Sequence, residues 1–243
     1  MILLNIADLV VQIDQKTVID HLNLEIKSGD LVVLMGPNGS GKSSLALALM
    51  GHPDYELVFG KIIFNGQDIT IMLQHERAKL GLFLAFQNPR AIPGLSVFDF
   101  LKTIYENYTG NLISVPELES LIYQNLELVG LNKNFINRDV NTGFSGGESK
   151  RFEILQLLLL KPKLAIIDEI DSGLDLDALK QIAQALNVCH QAGMTILLIT
   201  HYRRILNYLQ PKKIEIVQAG KINKTGGLEL IEMIENNGYE KLI

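Results

Sequence analysis

At 243 residues, with 47% hydrophobic and 20% charged side chains, the sequence is that of an ordinary globular protein, long enough for one α/β domain with an inserted lobe. A formal net charge of −5 leaves no basic footprint for nucleic acid, and no uncharged apolar run of about 18 residues is present to insert into a membrane. The single cysteine, Cys189, excludes internal disulfides and a metal cluster ligated by this chain's cysteines alone.

The start, Met1-Ile-Leu-Leu-Asn-Ile-Ala-Asp8, has no basic n-region, so a secretory signal is not expected and a cytoplasmic protein is. Leu9–Ile13 and Leu22–Ile26 are strand-like, and Ser28-Gly29-Asp30 punctuates before the continuous apolar run Leu31–Met35. Such a run, feeding at once into a glycine-rich turn, predicts a buried parallel strand before a helix. Lys61–Ile69 predicts a hairpin, with Asn65-Gly66 able to adopt positive φ. From about Pro89 to Asn141 the texture changes. Val97–Tyr108 and Pro116–Val129 carry apolar residues at helical spacing, and Gly130 follows as a stop, so a helical lobe over roughly 89–144 is expected inside the core. Beyond it the pattern predicts a helix opening at Ser145 and running on through Ser149–Leu160. Buried strands follow at Leu164–Asp168 and Thr195–Thr200, separated by a helix from Leu176 to Ala192. A short hairpin over Ile214–Lys221 and a helix over Glu229–Glu235 complete the chain.

Gly36-Pro37-Asn38-Gly39-Ser40-Gly41-Lys42-Ser43, followed by Ser44, sits between a predicted strand and a predicted helix, the context that makes a P-loop credible over a chance glycine-rich cap. Its glycines let backbone N–H groups surround a β-phosphate, and the helix start adds its positive dipole end. Lys42 is placed to reach the β/γ-phosphates of ATP and Ser43 to ligate Mg²⁺. Asp168 and Glu169 close a buried strand. Alone, two acids there can equally mark a strand reaching solvent; beside a P-loop they suit metal binding (Asp168) and water activation (Glu169). Ser145-Gly146-Gly147-Glu148 has the form of a capping box. The two glycines cost the helix about 1 kcal/mol each, which is rational if the backbone must approach a γ-phosphate. Gln87, at the junction after Leu82–Phe86, is placed to touch Mg²⁺ or its water, and His201, after Thr200, to reach the γ-phosphate and orient Glu169. An isolated glutamine or histidine is otherwise uninformative, and His21, His52, His75 and His190 are read as structural.

Taken in order, the P-loop, Gln87, Phe144–Glu148, Leu164–Glu169, Ser172-Gly-Leu-Asp175 and His201 resemble the ABC-type ATPases from end to end. Within them the chain is most similar to the SufC-type ATPases of the SUF iron–sulfur cluster assembly machinery. That likeness rests on Ile92-Pro93-Gly94, Ile167-Asp-Glu-Ile-Asp-Ser-Gly-Leu-Asp175, Thr200-His-Tyr202 and Gly238-Tyr239. The resemblance implies a P-loop NTPase core with an N-terminal antiparallel β subdomain and an inserted helical subdomain. It also implies ATP and Mg²⁺ as cofactors, SufB-like and SufD-like scaffold proteins as partners, and a second copy of the chain completing each active site through Ser145–Glu148. The sequence departs from the wider pattern at Val11–Gln15, where many members place an aromatic ring under the adenine; Ile13 is expected to replace it with apolar contact. Ser149 stands where SufC-like chains commonly carry a second lysine.

Two other functions compete. One is the ATPase subunit of a membrane importer, docking a permease helix in the groove beside Gln87. The other is a nucleic-acid-linked ATPase, which usually carries two cassettes or long insertions that are lacking here. A further expectation concerns resting-state control: Lys150, one turn into the Ser145 helix, is placed either to pair with the Glu169 carboxylate or simply to face solvent.

Overall fold

The computed structural model describes residues 1–201 and 203–239, so Tyr202 of the Thr200–Tyr202 motif lies outside the described residues. The chain opens with two long strands, β1 (Ile2–Ile13) and β2 (Lys16–Lys27), joined by Asp14 and Gln15 at positive φ. Both exceed the stretches expected from apolar alternation, because several register shifts interrupt the alternation without ending the pairing. After them come β3 (Leu31–Met35), α1 (Lys42–Met50), β4 (Glu56–Phe64) and the two-residue β5 (Gln67–Asp68). Asn65 and Gly66 take φ of 50° and 80°, as the expected hairpin turn requires. The longer partner of β4 is nonetheless β1, giving an antiparallel sheet in the order β2-β1-β4-β5.

A short helix, α2 (Gln74–Leu80), precedes β6 (Leu82–Ala85). The insert then runs through β7 (Ile92–Ser96), α3 (Val97–Thr109), α4 (Val115–Leu126) and β8 (Asp139–Val140), with β7 and β8 pairing as a small ribbon. Ser96 caps α3 by accepting a hydrogen bond from the Asp99 N–H, and Ser114 and Glu117 frame the start of α4. The rest alternates: α5 (Gly146–Leu160), β9 (Leu164–Asp168), α6 (Leu176–Gln191), β10 (Thr195–Ile199), β11 (Lys213–Gln218), β12 (Lys221–Gly226) and α7 (Glu229–Asn237).

Six strands form the central sheet in the order β12-β11-β3-β10-β9-β6, parallel except at the β12 edge. Strand β3 shows why its sequence is uniformly apolar. Leu31, Val33 and Met35 face the core shared with α5, α6 and the insert, while Val32 and Leu34 face the core shared with α1 and the antiparallel sheet. Each such fully buried side chain contributes roughly 1.5–3 kcal/mol of burial free energy. Register then sets the site: Leu34, Ile199 and Asp168 stand level across β3, β10 and β9, so the loops leaving these strands emerge at one edge.

Candidate nucleotide-binding site

The loop after β3 is shaped by two contacts that only glycine permits. A Cβ on Gly36 would lie 2.1 Å from the Val217 carbonyl oxygen, and one on Gly41, at φ 105°, would lie 2.7 Å from that of Val18. The β11–β12 turn braces the loop from outside, where the Gly220 N–H donates to Ser40 O at 2.9 Å and the Asp20 N–H to Gly220 O at 3.0 Å. Lys42 opens α1 and is buried. Its ammonium donates to the carbonyls of Gly36 and Pro37, each at 2.9 Å, so the chain itself curls around the cation. Burial lowers the Lys42 pKa, opposed by the nearby charges of Glu169 and Asp168.

Asp168, at the end of β9, is pushed up to about 6. Burial dominates, the neighbouring Glu169 charge adds to it, and hydrogen bonding from Ser43 and the charge of Lys42 oppose it. Its Oδ1 is buried and has no hydrogen-bond partner among the described residues. Such an acceptor is costly unless something electropositive faces it, which is the chemistry expected where a carboxylate faces a hard cation. Glu169 follows at φ 47°, its N–H donating to Ile199 O at 2.9 Å. The Glu169 carboxylate is gripped from two sides: Gln87 Nε2 donates to Oε2 at 2.6 Å, and His201 Nδ1 stands 3.2 Å from Oε1. Gln87, Glu169, His201 and residues 38–44 line one cavity of about 540 Å³.

Thr17 and Val18 line this cavity with Ala219 and Gly220, whereas Ile13 does not. The expectation for Ile13 concerns a bound base, and the cavity wall nearest to it starts instead at Thr17 and Val18. This part of the wall is built from the first residues of β2. Composition gave no signal for Thr17 or Val18, because their role depends on the β2–P-loop packing seen at Gly41.

Lys150 also departs from expectation. Its ammonium donates to Ser172 Oγ at 2.8 Å, to the Ser172 carbonyl, and to the backbone carbonyl of Glu169 at 3.3 Å. No ion pair within 4 Å joins it to the Glu169 carboxylate, which is turned toward Gln87 and His201. Sequence reasoning passed over Asp171 as an individual residue. It is almost wholly buried, accepts from Thr200 Oγ1 at 2.8 Å, and is raised in pKa by that burial.

Ser145 caps α5 by accepting the Glu148 N–H at 3.1 Å, and the Glu148 carboxylate accepts the Ser145 N–H at 2.8 Å. That hydrogen bond is the main reason the Glu148 pKa is lowered, with Arg138 at 2.5 Å adding to it. A Cβ on Gly146 would meet nothing within 4 Å, and one on Gly147 only Leu174 at 3.8 Å. Among the described residues no steric contact therefore demands either glycine. Residues 145–148 do not line the cavity beside Lys42.

The ABC transporter family matches residues 19–172. A protein of Synechocystis sp. named a probable ATP-dependent transporter is 45% identical over 99% of this chain and 95% of its own length. Vegetative protein 296 of Bacillus subtilis is 44% identical over 98% and 92%. Among solved structures, a dimeric ATP-binding cassette in a post-hydrolysis state bound to ADP and Pi superposes with a TM-score of 0.81 at 21% identity, covering 93% of this chain and 98% of that one, a likeness of fold. With its glycine-rich loop after β3, paired acids and α/β architecture, the chain belongs to the ABC transporter family, as an ATP-hydrolysing cassette.

Proposed function

We propose that the chain is the ATPase subunit of a SUF-type iron–sulfur cluster assembly machine, acting as a pair on SufB-like and SufD-like scaffold proteins. The observation that carries the pairing is the position of Ser145–Glu148. These residues lie outside the cavity of their own P-loop, yet present a helix N-terminus and two glycines that no steric contact among the described residues demands. A second copy would bring that helix start to the nucleotide, as the dimeric state of the solved cassette supports. The stretch Glu169–Asp175 and the Gly238-Tyr239 ending support the assembly role, and any cluster is cargo ligated outside this chain.

In this reading Gly36–Ser44 hold the phosphates by backbone N–H groups. Lys42 exchanges its loop carbonyls for the β/γ-phosphates. Mg²⁺ would be held by Ser43, Gln87 and Asp168, whose buried unpartnered Oδ1 fits that task, and it supplies charge neutralisation on the phosphate oxygens. Glu169 orients the attacking water and takes its proton, and His201 orients Glu169. In the resting subunit Gln87 and His201 hold the Glu169 carboxylate, so turnover requires Gln87 to let go of it.

A second reading, the ATPase of a membrane importer, is favoured by the name of the Synechocystis relative. It is also favoured by a largely apolar groove of about 830 Å³ that includes Met50, Phe86 and Phe100. Tagged full-length chain isolated from its native host separates the two. A detergent-free complex with scaffold proteins supports assembly, and recovery that depends on detergent supports the importer. ATPase activity should rise more steeply than linearly with protein concentration; full turnover by a demonstrable monomer overturns the composite site.

A further inference from the structure

Glu153 is a carboxyl group in the middle of a helix whose neighbours Phe152, Ile154, Leu155 and Leu157 are all fully buried. Among the described residues no lysine, arginine or histidine lies within 4 Å of it. A leucine would pack there at no desolvation cost, so the acid needs a reason. Its two oxygens supply one: Oε1 accepts from Gln156 Nε2 at 3.1 Å, and Oε2 accepts the Phe86 backbone N–H at 3.2 Å. Phe86 is the first residue beyond β6, and Gln87, the next, holds the Glu169 carboxylate. At the other end of this connection, Glu153 sits about 10 Å along α5 from Gly146, where the helix presents its two glycines.

We propose that Glu153 is a positioning residue that ties the exit of β6 to α5, so that displacement of the α5 N-terminus moves Gln87 relative to Glu169. The tie crosses between the helix that meets the partner's nucleotide and the loop that touches the chain's own. Glu153 and Phe86 also line the groove beside Gln87, so the same hydrogen bond links that groove to the site. The inference rests on the paired-ATPase reading proposed above and stands whether the groove receives a scaffold or a permease.

The native chain contains no tryptophan, so Phe86→Trp, at a half-exposed position, installs a lone reporter at the tie. Full-length Phe86→Trp protein is titrated with Mg-ADP, alone and combined with Glu153→Leu or Glu153→Gln. The parent reporter and the Glu153→Gln form, which keeps an acceptor oxygen for the Phe86 N–H, should show a fluorescence change on binding. Glu153→Leu should lose that change and lower kcat about ten-fold, while its Kd for ADP and KM for ATP stay at the parental values. Where the leucine variant fails to fold, Glu153→Met, lacking the same acceptor, carries the same expectations. A Glu153→Leu protein that keeps the fluorescence change and kcat overturns the proposal. So does one that folds but loses ADP affinity along with them, because that marks a general structural role.

Discussion

Replacing Glu153 by Gln should change the pH dependence of stability in a direction set by the burial of its carboxyl group. Burial pushes the Glu153 pKa from 4.5 up to about 7, against the hydrogen bonds from Phe86 and Gln156. A raised carboxyl pKa means the folded chain prefers the protonated form. Below pH 4.5 both folded and unfolded chains carry the proton and there is no penalty. Between 4.5 and 7 the unfolded chain ionises first, so stability falls as pH rises, and above 7 the loss is complete. The shift of about 2.5 pKa units corresponds to roughly 3 kcal/mol, of which about 2 kcal/mol falls between pH 5 and 8. Glutamine carries no such penalty, so the stability difference between Glu153→Gln and the native chain should grow in favour of glutamine by about that amount over this range. His52, His75 and Arg90 line the same groove, but none of them is within ion-pair distance of Glu153. Urea unfolding at a series of pH values measures it. Two parallel stability curves from pH 5 to 8 would refute the reasoning and place the carboxylate in contact with solvent or a cation.

Gly36→Ala should abolish nucleotide binding in an equilibrium titration with labelled ATP, because its methyl would stand 2.1 Å from the Val217 carbonyl oxygen; near-native affinity would contradict the loop geometry. Glu169→Gln should bind ATP normally, fail to hydrolyse it and accumulate as an ATP-bound dimer on size exclusion, whereas hydrolysis at the parental rate removes Glu169 from the chemistry. Lys150→Ala should lower the thermal midpoint by several degrees through loss of its hydrogen bonds to Ser172 and the Glu169 carbonyl. It should not raise basal ATPase; a clear rise would restore the carboxylate lock that the geometry excludes. Cys189 is buried with its thiol pushed up to about 11, so it should resist thiol reagents in the native state, and Cys189→Ala should leave ATPase activity unaltered.

What was legible in the sequence was what strands and turns write locally. The run Leu31–Met35 is apolar at every position because both faces of β3 are buried, and residues 164–167 and 196–199 carry the same mark. Asn65-Gly66 announced its turn, and Ser145 and Glu148 their cap. Helix α2 was missed because its first turn is capped from Leu73, where only the backbone N–H takes part, accepted by Glu76 at 2.8 Å. Its anchor is tertiary: the buried Arg77 guanidinium donates to the carbonyls of Ala48 and Leu49 and so closes the C-terminus of α1, a contact 28 residues away that no local pattern encodes. Glu153 was invisible for the opposite reason. One acid every few residues on a helix is ordinary, and only the packed structure shows that this one is buried.

The Lys150–Glu169 expectation failed on a single backbone angle, and the failure is instructive about the site. Spacing along α5 and β9 brings Lys150 to Glu169 correctly, as the 3.3 Å contact to its carbonyl shows. What spacing cannot specify is which way the side chain leaves the backbone. At φ 47° Glu169 occupies the left-handed region, at a cost of about 1–2 kcal/mol for a residue with a Cβ. That conformation is sustained by its N–H bond to Ile199 and by the Ser172 N–H donating to its carbonyl at 3.2 Å. With the carbonyl facing Lys150, the carboxylate faces Gln87 and His201. The lysine therefore secures the strained turn rather than the charge, and the charge is held instead by His201 and by Gln87, whose chain neighbours Phe86 and Asn88 line the apolar groove. Strain held at the Glu169 backbone by contacts from α5 and β10 is lost or gained with movements of those elements, which gives the proposed dimer closure a physical handle on the proposed catalytic acid.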